Sequence, residues 1–336
     1  MVAVELVSPV ALWGVWMKIL AVRNDNIGDL ICTTPALRGL RRKFPLAQID
    51  LVVNSYNRVV VEGADFLDKI WCYQKPKHAV GVVQKGRALL SKVELFFKIF
   101  EEKYDIAILF RGSFSPSAYQ FLKASRAPIK IGVGPENLFT HPIKLPEEPL
   151  HEVELCYKIV APLEVTPGGE RCYFPLDRNL QERFRSYTPG LLLHLSSRLI
   201  ENRLPKFKAH RLVQELVSEF RLPVYITGAP SDWESLKELE EDGGILIKTE
   251  NLKELAAFLS LQKCFISLDG GALHLGSPIG VPTVALFGKS SPARWAPYRY
   301  RQLALKSETG WVVDIPLLEI LKKVEEGLGF RDRERF

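Results

Sequence analysis

The chain has 336 residues, 47% hydrophobic and 25% charged, a composition that suits a soluble protein of about two domains with no need of disulfide or metal staples. Five scattered cysteines without a CxxC pair argue against a disulfide framework and a zinc ribbon, and fit a reducing cytoplasm. The net charge of +6 admits an acidic partner, but no nucleic-acid-binding motif or aromatic-basic repeat accompanies it, and no run of about 18 uncharged apolar residues marks a spanning helix.

Residues 1–16 are mostly apolar but lack a basic start, which makes a poor signal peptide. They read as an extension ahead of the first strand, or as an interfacial membrane contact through Trp13 and Trp16. Lys18 to Arg23 is then a strand, Asn24 to Asp29 a loop, and Leu30 to Phe44 a helix closed by Pro45, with Arg38, Arg41, Arg42 and Lys43 in its last turns. Ile49 to Val53 completes a βαβ unit. Its loop lacks the GxGxxG fingerprint, which disfavours a dinucleotide site. In open α/β sheets the loops after strands line the ligand crevice, so Asp29 is expected there, at a helix N-terminus that favours its charged form. A plain N-cap is the alternative.

Ile70 to Tyr73 is a short strand. Lys75 to Lys103 carries Lys75, Lys77, His78, Lys85, Arg87, Lys92 and Lys98, and turns amphipathic and helical from Val93 to Phe100. This segment fits an anionic membrane or an acidic acceptor, or else a solvated face over a core helix. Asp105 to Phe110 is a strand ending in Arg111-Gly112-Ser113, Ser117 to Lys123 a helix, Lys130 to Val133 a strand and His151 to Val160 a helix. Ala161 to Phe174, with Pro162, Pro167, Gly168 and Gly169, reads as a linker.

The second half repeats the pattern. Strands are expected at Leu191 to Leu195, Val224 to Thr227, Ile245 to Lys248, Cys264 to Leu268 and Pro282 to Gly288, alternating with helices at Pro205 to Glu219, Trp233 to Glu241, Leu252 to Leu259 and Leu273 to Ile279. Two β/α runs of similar size predict two doubly wound domains facing each other. The assigned ranges are 17–165 and 175–312, and a last helix within 313–330 is expected to cross back to the first domain. The apolar run ending at Leu268 breaks at Asp269-Gly270-Gly271 and resumes as helix near His274. Such a turn aims backbone N–H groups and a helix dipole at one spot, which suits a phosphate, although an ordinary turn with a capping Asp has the same spelling.

Several motifs fall in a fixed order. They are Lys18-Ile-Leu-Ala-Val-Arg-x4-Gly28-Asp29 with Thr33-Thr34-Pro35-Ala36-Leu37, then His194-x-Ser196-Ser197, Leu204-Pro205, Asp269-Gly-Gly271-x-x-His274, Gly280-Val-Pro282-x4-Phe287-Gly288 and Trp295-x-Pro297-Tyr298. Together they resemble glycosyltransferase family 9, the bacterial ADP-heptose:lipopolysaccharide heptosyltransferases, over nearly the whole chain. The resemblance implies a GT-B fold, two doubly wound Rossmann-like domains facing across a cleft, and inverting, metal-independent transfer. The absence of an Asp-x-Asp pair from the sequence agrees with a site that binds no metal.

Carried onto matching positions, the resemblance makes Asp29 the general base and assigns Asp269, Gly270, Gly271, His274, Ser196 and Ser197 to the donor diphosphate. Asp232 with Thr249, Glu250 and Asn251 would meet the adenosine. The family's phosphate lysine is replaced here, in Asn202-Arg203-Leu204-Pro205. Either Arg203 or Arg198 is expected to supply that charge, with Arg198 nearer the expected phosphate path. The acceptor is expected on the first domain, at Arg38, Arg41, Arg42 and Arg111. The resemblance further implies ADP-heptose as donor without a cofactor, a lipid-linked acidic sugar of the lipopolysaccharide inner core as acceptor, and a cytoplasmic enzyme peripheral to the inner membrane. A different nucleotide sugar or acceptor, a catalytically silent nucleotide-sugar-binding protein, and a GT-B epimerase are the alternatives. The Gly28-Asp29 loop disfavours the last of these.

Overall fold

The computed structural model describes residues 16–75 and 82–333, and the chain divides into two compact units after Arg171, inside the expected linker. In the first unit, β1 (Lys18–Val22) is buried throughout its apolar run, as a central strand covered on both faces must be. Helix α1 (Ile27–Lys43) follows, with Pro35 in its interior. Proline has no N–H to give the Ile31 carbonyl, and the Thr34 hydroxyl donates to that carbonyl instead, at 2.6 Å. Then come β2 (Gln48–Asn54), β3 (Lys69–Tyr73), α2 (Val82–Glu102), β4 (Ile106–Leu109), α3 (Pro116–Ala124), β5 (Ile129–Gly132), a two-residue β6 (His141–Pro142) and α4 (Glu152–Val160). All pairings are parallel, in the order β3-β2-β1-β4-β5-β6.

Helix α2 extends well beyond the expected Val93 to Phe100. Leu95 and Ile99 enter the core, while Leu89, Leu90, Val93, Phe97 and Phe100 are exposed along another stripe. Arg126 lies 4.9 Å over the Phe100 ring. Residues 1–15, and with them Trp13, lie outside the described residues, as do Lys77 and His78 of the basic segment and the side chains of Lys85 and Arg87. Trp16 is exposed.

The second unit runs α5 (Arg178–Arg183), β7 (Leu191–His194), α6 (Lys206–Glu219), β8 (Val224–Thr227), α7 (Trp233–Lys237), β9 (Ile245–Leu246), α8 (Leu252–Ser260) and β10 (Cys264–Leu268). It ends with α9 (Gly276–Ile279), β11 (Thr283–Phe287), α10 (Pro292–Trp295), β12 (Ala304–Lys306) and α11 (Leu317–Arg333). Its parallel sheet has the order β12-β11-β10-β7-β8-β9. The sequence sends the last helix to the first domain, but α11 packs on β10 and β11 of its own unit. Ile320 and Val324 are wholly buried in that unit's core, the burial an amphipathic helix needs.

An acid-sensitive latch closes one edge of the first unit. Glu102 accepts from Lys18 Nζ at 2.7 Å and from Lys69, and these hydrogen bonds pull its carboxyl down to about 2. A depressed carboxylate stabilises the fold above its unfolded pKa, and that stability is lost as pH falls through the folded value. Glu102→Gln should therefore flatten the loss of melting temperature between neutral pH and about pH 3. Equal acid sensitivity in the variant and the parent would show that the latch adds nothing.

Candidate active site

Read from its second outer edge, the second sheet has the same winding as the first: three strands out, a return to the start, and three strands the other way. The direction reverses between β1 and β4 and again between β7 and β10. Ligands of open α/β sheets bind at such reversals, beyond the carboxyl ends of the strands. The residues singled out by the motifs sit at these two points.

At the first reversal, β1 runs into Arg23, whose side chain is only 1% exposed. Its Nη2 meets Asp29 Oδ1 at 2.7 Å and Glu152 Oε1 at 2.6 Å, its Nε faces Asp25 Oδ1 at 2.9 Å, and Nη1 donates to the Phe110 carbonyl. Arg111, just after β4, reaches the other Asp25 oxygen at 3.2 Å. Burial disfavours the Arg23 charge, yet Asp25, Asp29 and Glu152 hold its pKa well above the ordinary value. Burial also raises the Asp25 carboxyl, with Arg23 opposing it. Asn24 Nδ2 donates to the Tyr73 hydroxyl at 2.8 Å and ties the same loop to β3.

Asp29 is not the N-cap of α1. Asn26 holds that place, without a side-chain cap bond, and Asp29 sits in the first turn, where unpaired helix N–H groups favour a carboxylate. The partly exposed Asp29 side chain, at 14%, is thus a charged group pinned from beneath by a buried cation.

At the second reversal the loops after β7, β10 and β11 are laced by one carboxylate. Asp269 Oδ2 accepts from Asn202 Nδ2 at 3.0 Å and from Ser290 Oγ at 2.5 Å, while Ser197 Oγ donates to the Asp269 carbonyl at 3.0 Å. Asn202, where the resemblance expects a lysine, is 0% exposed, and its Oδ1 accepts from the Gly288 N–H at 3.1 Å. A Cβ on Gly288 would lie 2.5 Å from the Glu201 carbonyl oxygen, so only glycine fits this crossing. Gly270 borders open space instead, and Gly271 leads into a 3-10 turn, Ala272–Leu275, ahead of four-residue α9. That broken element is too short for much macrodipole, so backbone N–H groups rather than a long helix's field are what the turn offers an anion. His274 is buried, with its ring edge-on to Trp295 at 6.0 Å. Burial pushes His194, at the end of β7, down to about 4, which leaves it neutral at pH 7.

Ser196 Oγ donates to Asp232 at 2.5 Å and accepts from the Ala229 N–H at 2.8 Å, which brings the β7 and β8 loops together. Thr249 is buried with its hydroxyl 3.1 Å from that of Thr227. Asn251 is the N-cap of α8, and its Oδ1 accepts from the Lys253 and Glu254 N–H groups. Exposed Glu250 donates its N–H to Glu254. The polar group of Asn251 that the sequence assigns to adenosine is therefore engaged in a helix start.

Three expected acceptor residues are not brought to the site. Arg41 follows Asp29 by twelve helical residues, about 18 Å along α1 at 1.5 Å per residue. It donates to the carbonyls of Phe66, Pro45 and Ala47 and pairs with Asp68. Arg42 pairs with Glu170 and bonds the Thr166 carbonyl, and Arg38 bonds that of Arg171. A helix that starts at the carboxyl edge of a parallel sheet ends at the opposite edge, so its last turns face away from the reversal point. Arg111 is the expected acceptor residue that joins the Asp29 cluster. Arg23 stands in the first motif without an assigned role, and Asp25 and Glu152 are the cluster members the motifs did not point to. An arginine directly after an apolar strand was the available signal.

If Asp269 acts as a lace rather than a lone ligand contact, Asp269→Ala and Asn202→Ala should each weaken binding of the nucleotide diphosphate that the resemblance implies by roughly tenfold or more, the scale of one hydrogen bond to a charged group. The double variant should lose little beyond either single one, because both remove the same bond. Fully additive losses in calorimetry would show that the two side chains act separately.

A family model described as glycosyltransferase family 9 (heptosyltransferase) matches residues 92–315. Lipopolysaccharide heptosyltransferase 1 of Pseudomonas aeruginosa is 24% identical over 345 residues, covering 91% of this chain and 87% of that protein. The structure of the glycosyl transferase family 9 protein from Veillonella parvula aligns with a TM-score of 0.78 at 20% identity, over 93% of this chain and 97% of the other. E. coli heptosyltransferase WaaC with ADP aligns with a TM-score of 0.73 at 16% identity, over 93% and 100%. The two doubly wound units are those of the GT-B fold. With its motifs at both sheet reversals and two thirds of its length inside the family match, the chain belongs to glycosyltransferase family 9, the heptosyltransferase family, and is a glycosyltransferase.

Proposed function

We propose that the enzyme moves heptose from ADP-heptose to a sugar of the lipopolysaccharide inner core, inverting the anomeric centre without a metal ion. The observation that carries this reading is the Asp29 carboxylate, partly exposed at the β1/β4 reversal and held there by Arg23. In this mechanism Asp29 takes the proton of the acceptor hydroxyl as its oxygen bonds to the anomeric carbon, and the bond to ADP breaks on the opposite face. The turn at Asp269, Gly270 and Gly271 offers backbone N–H groups to the charge that grows on the diphosphate.

Arg203 is the better candidate for the missing lysine's charge. Both Arg203 and Arg198 are exposed, but the Arg203 Nε donates to the Ser197 carbonyl at 2.7 Å, which fixes the guanidinium beside the Ser197–Asp269 pair. ADP as the donor nucleotide is supported by the bound ADP of the E. coli relative, and a lipopolysaccharide acceptor by the name of the Pseudomonas relative.

A lipid-linked acceptor also gives the stripe on α2 a use. Its exposed Leu90, Phe97 and Phe100 beside Arg126 would rest on an anionic bilayer. No described helix is long and apolar enough to cross one. Co-sedimentation with phosphatidylglycerol vesicles that is unaffected by Leu90→Glu with Phe97→Glu would remove this contact. The reading as a whole is tested by thermal shift and turnover with ADP-, UDP-, GDP- and CMP-sugars. ADP-sugars should stabilise the protein most and ADP-heptose should turn over. A preference for another nucleotide would overturn the donor assignment while leaving the family intact.

A further inference from the structure

The Arg23 cluster contains more acid than base. Three carboxylates (Asp25, Asp29 and Glu152) face two guanidiniums, Arg23 and Arg111. Glu152 is the outlier among them. It stands at the start of α4, 129 residues from Arg23, with a side chain 0% exposed, where an ionised carboxylate is costly unless paired. A pure anchor for Arg23 was available without it, since Asp25, Asp29 and the Phe110 carbonyl already engage that guanidinium. Glu152 also meets Arg23 on Nη2, the same nitrogen that holds Asp29.

We propose that Glu152 is a positioning residue for the transfer, one that shares Arg23 Nη2 with Asp29 and so keeps Asp29 basic enough to accept a proton while Arg23 fixes its place. This rests on Asp29 being the base. An undivided Arg23 would hold Asp29 in a tight ion pair and make it a poorer proton acceptor. With a second carboxylate on the same nitrogen, the positive charge is balanced from below, and the buried negative charge of Glu152 favours protonation of Asp29. The remaining groups around the pair do not offset this. Asp25, on Arg23 Nε and paired with Arg111, also interacts with Asp29, and its negative charge acts in the same sense as that of Glu152. Burial pushes the Cys156 thiol and the Tyr73 phenol each up to about 12, so both stay neutral near pH 7. The neighbouring His151 ring caps α4 by accepting from the Val153 N–H.

The test compares pH profiles of kcat and kcat/KM for the full-length enzyme, using ADP-heptose and the acceptor that supports turnover. Glu152→Gln keeps the shape and an oxygen for Arg23 but removes the charge. The acid limb of its kcat/KM profile should move down by about one pH unit, the scale of a lost neighbouring charge. Its kcat at the plateau should fall severalfold, with little change in KM for ADP-heptose. Glu152→Asp keeps the charge at a longer reach and should move the limb part of the way. It also serves if Glu152→Gln does not fold. A limb that stays in place in every folded variant, whatever the loss of melting temperature, overturns the inference and leaves Glu152 a structural ion. Asp29→Asn separates the two readings. If that variant turns over normally, the base assignment itself fails. If it is inactive while the Glu152 variants keep the parental limb, only the role of Glu152 fails.

Discussion

Asp29→Asn should lower turnover by about 10²–10⁴-fold, the range of general-base catalysis, while ADP affinity stays close to that of the parent. Asparagine keeps the volume and a carbonyl oxygen for Arg23 Nη2, so the first turn of α1 and the Arg23–Glu152 pair should survive. The amide cannot take the acceptor's proton. A carboxylate serving only as a first-turn charge would behave differently. Its loss would cost at most about 2 kcal/mol of helix stability and would leave catalysis untouched. Turnover and calorimetry on the same preparation, with melting temperatures alongside, decide between these. Near-parental turnover would make Asp29 a structural charge and move the search for the base to Asp25, which lies in the same cluster with a carboxyl raised by burial.

Much of this arrangement was legible in the sequence because it is local. A β-rich apolar run followed by Gly28-Asp29 or Asp269-Gly-Gly271 is a strand that ends in a loop, and parallel topology sends such loops to one edge of the sheet. The central strands were long and apolar enough to read, whereas β6 and β12, at two and three residues, are too short to show a period. The misplacement of Arg38, Arg41 and Arg42 came from charge being read without helix length, since seventeen residues carry the last turn to the opposite edge of the sheet. Helix α11 showed its apolar stripe in the sequence but not the sheet that receives it. Non-local chemistry was the least legible. Nothing near Glu152 says that it will meet Arg23 across 129 residues, and nothing near Asn202 says that it will fill a buried position and bond Asp269. A polar residue reads as surface until the fold supplies its partner.

Arg23→Met should be the most destabilising single change in the first unit. Methionine approximates the volume of the buried stem, but Asp25, Asp29 and Glu152 then face one another with no cation among them except Arg111 on the Asp25 side. Removing one partner of a buried ion pair costs about 3–5 kcal/mol because the other charge stays behind without compensation. For a unit of this size that lowers the melting temperature by roughly 10 °C. The stranded carboxyls can escape the penalty by taking up protons, which raises their pKa in the folded variant. A raised folded pKa gives stability that is present at low pH and lost as pH rises, so the deficit against the parent should be larger at about pH 8 than at about pH 5. Adding Glu152→Met to Arg23→Met removes the most deeply buried of the stranded charges and should recover part of the loss, since replacing both members of a buried pair by apolar side chains is often neutral. Urea titrations of the parent, the single variant and the double variant at both pH values measure all three effects. Equal stability of Arg23→Met and the parent at the higher pH would mean that water or a shifted loop neutralises the carboxylates, and that Arg23 is not what holds Asp29 at the sheet's reversal point.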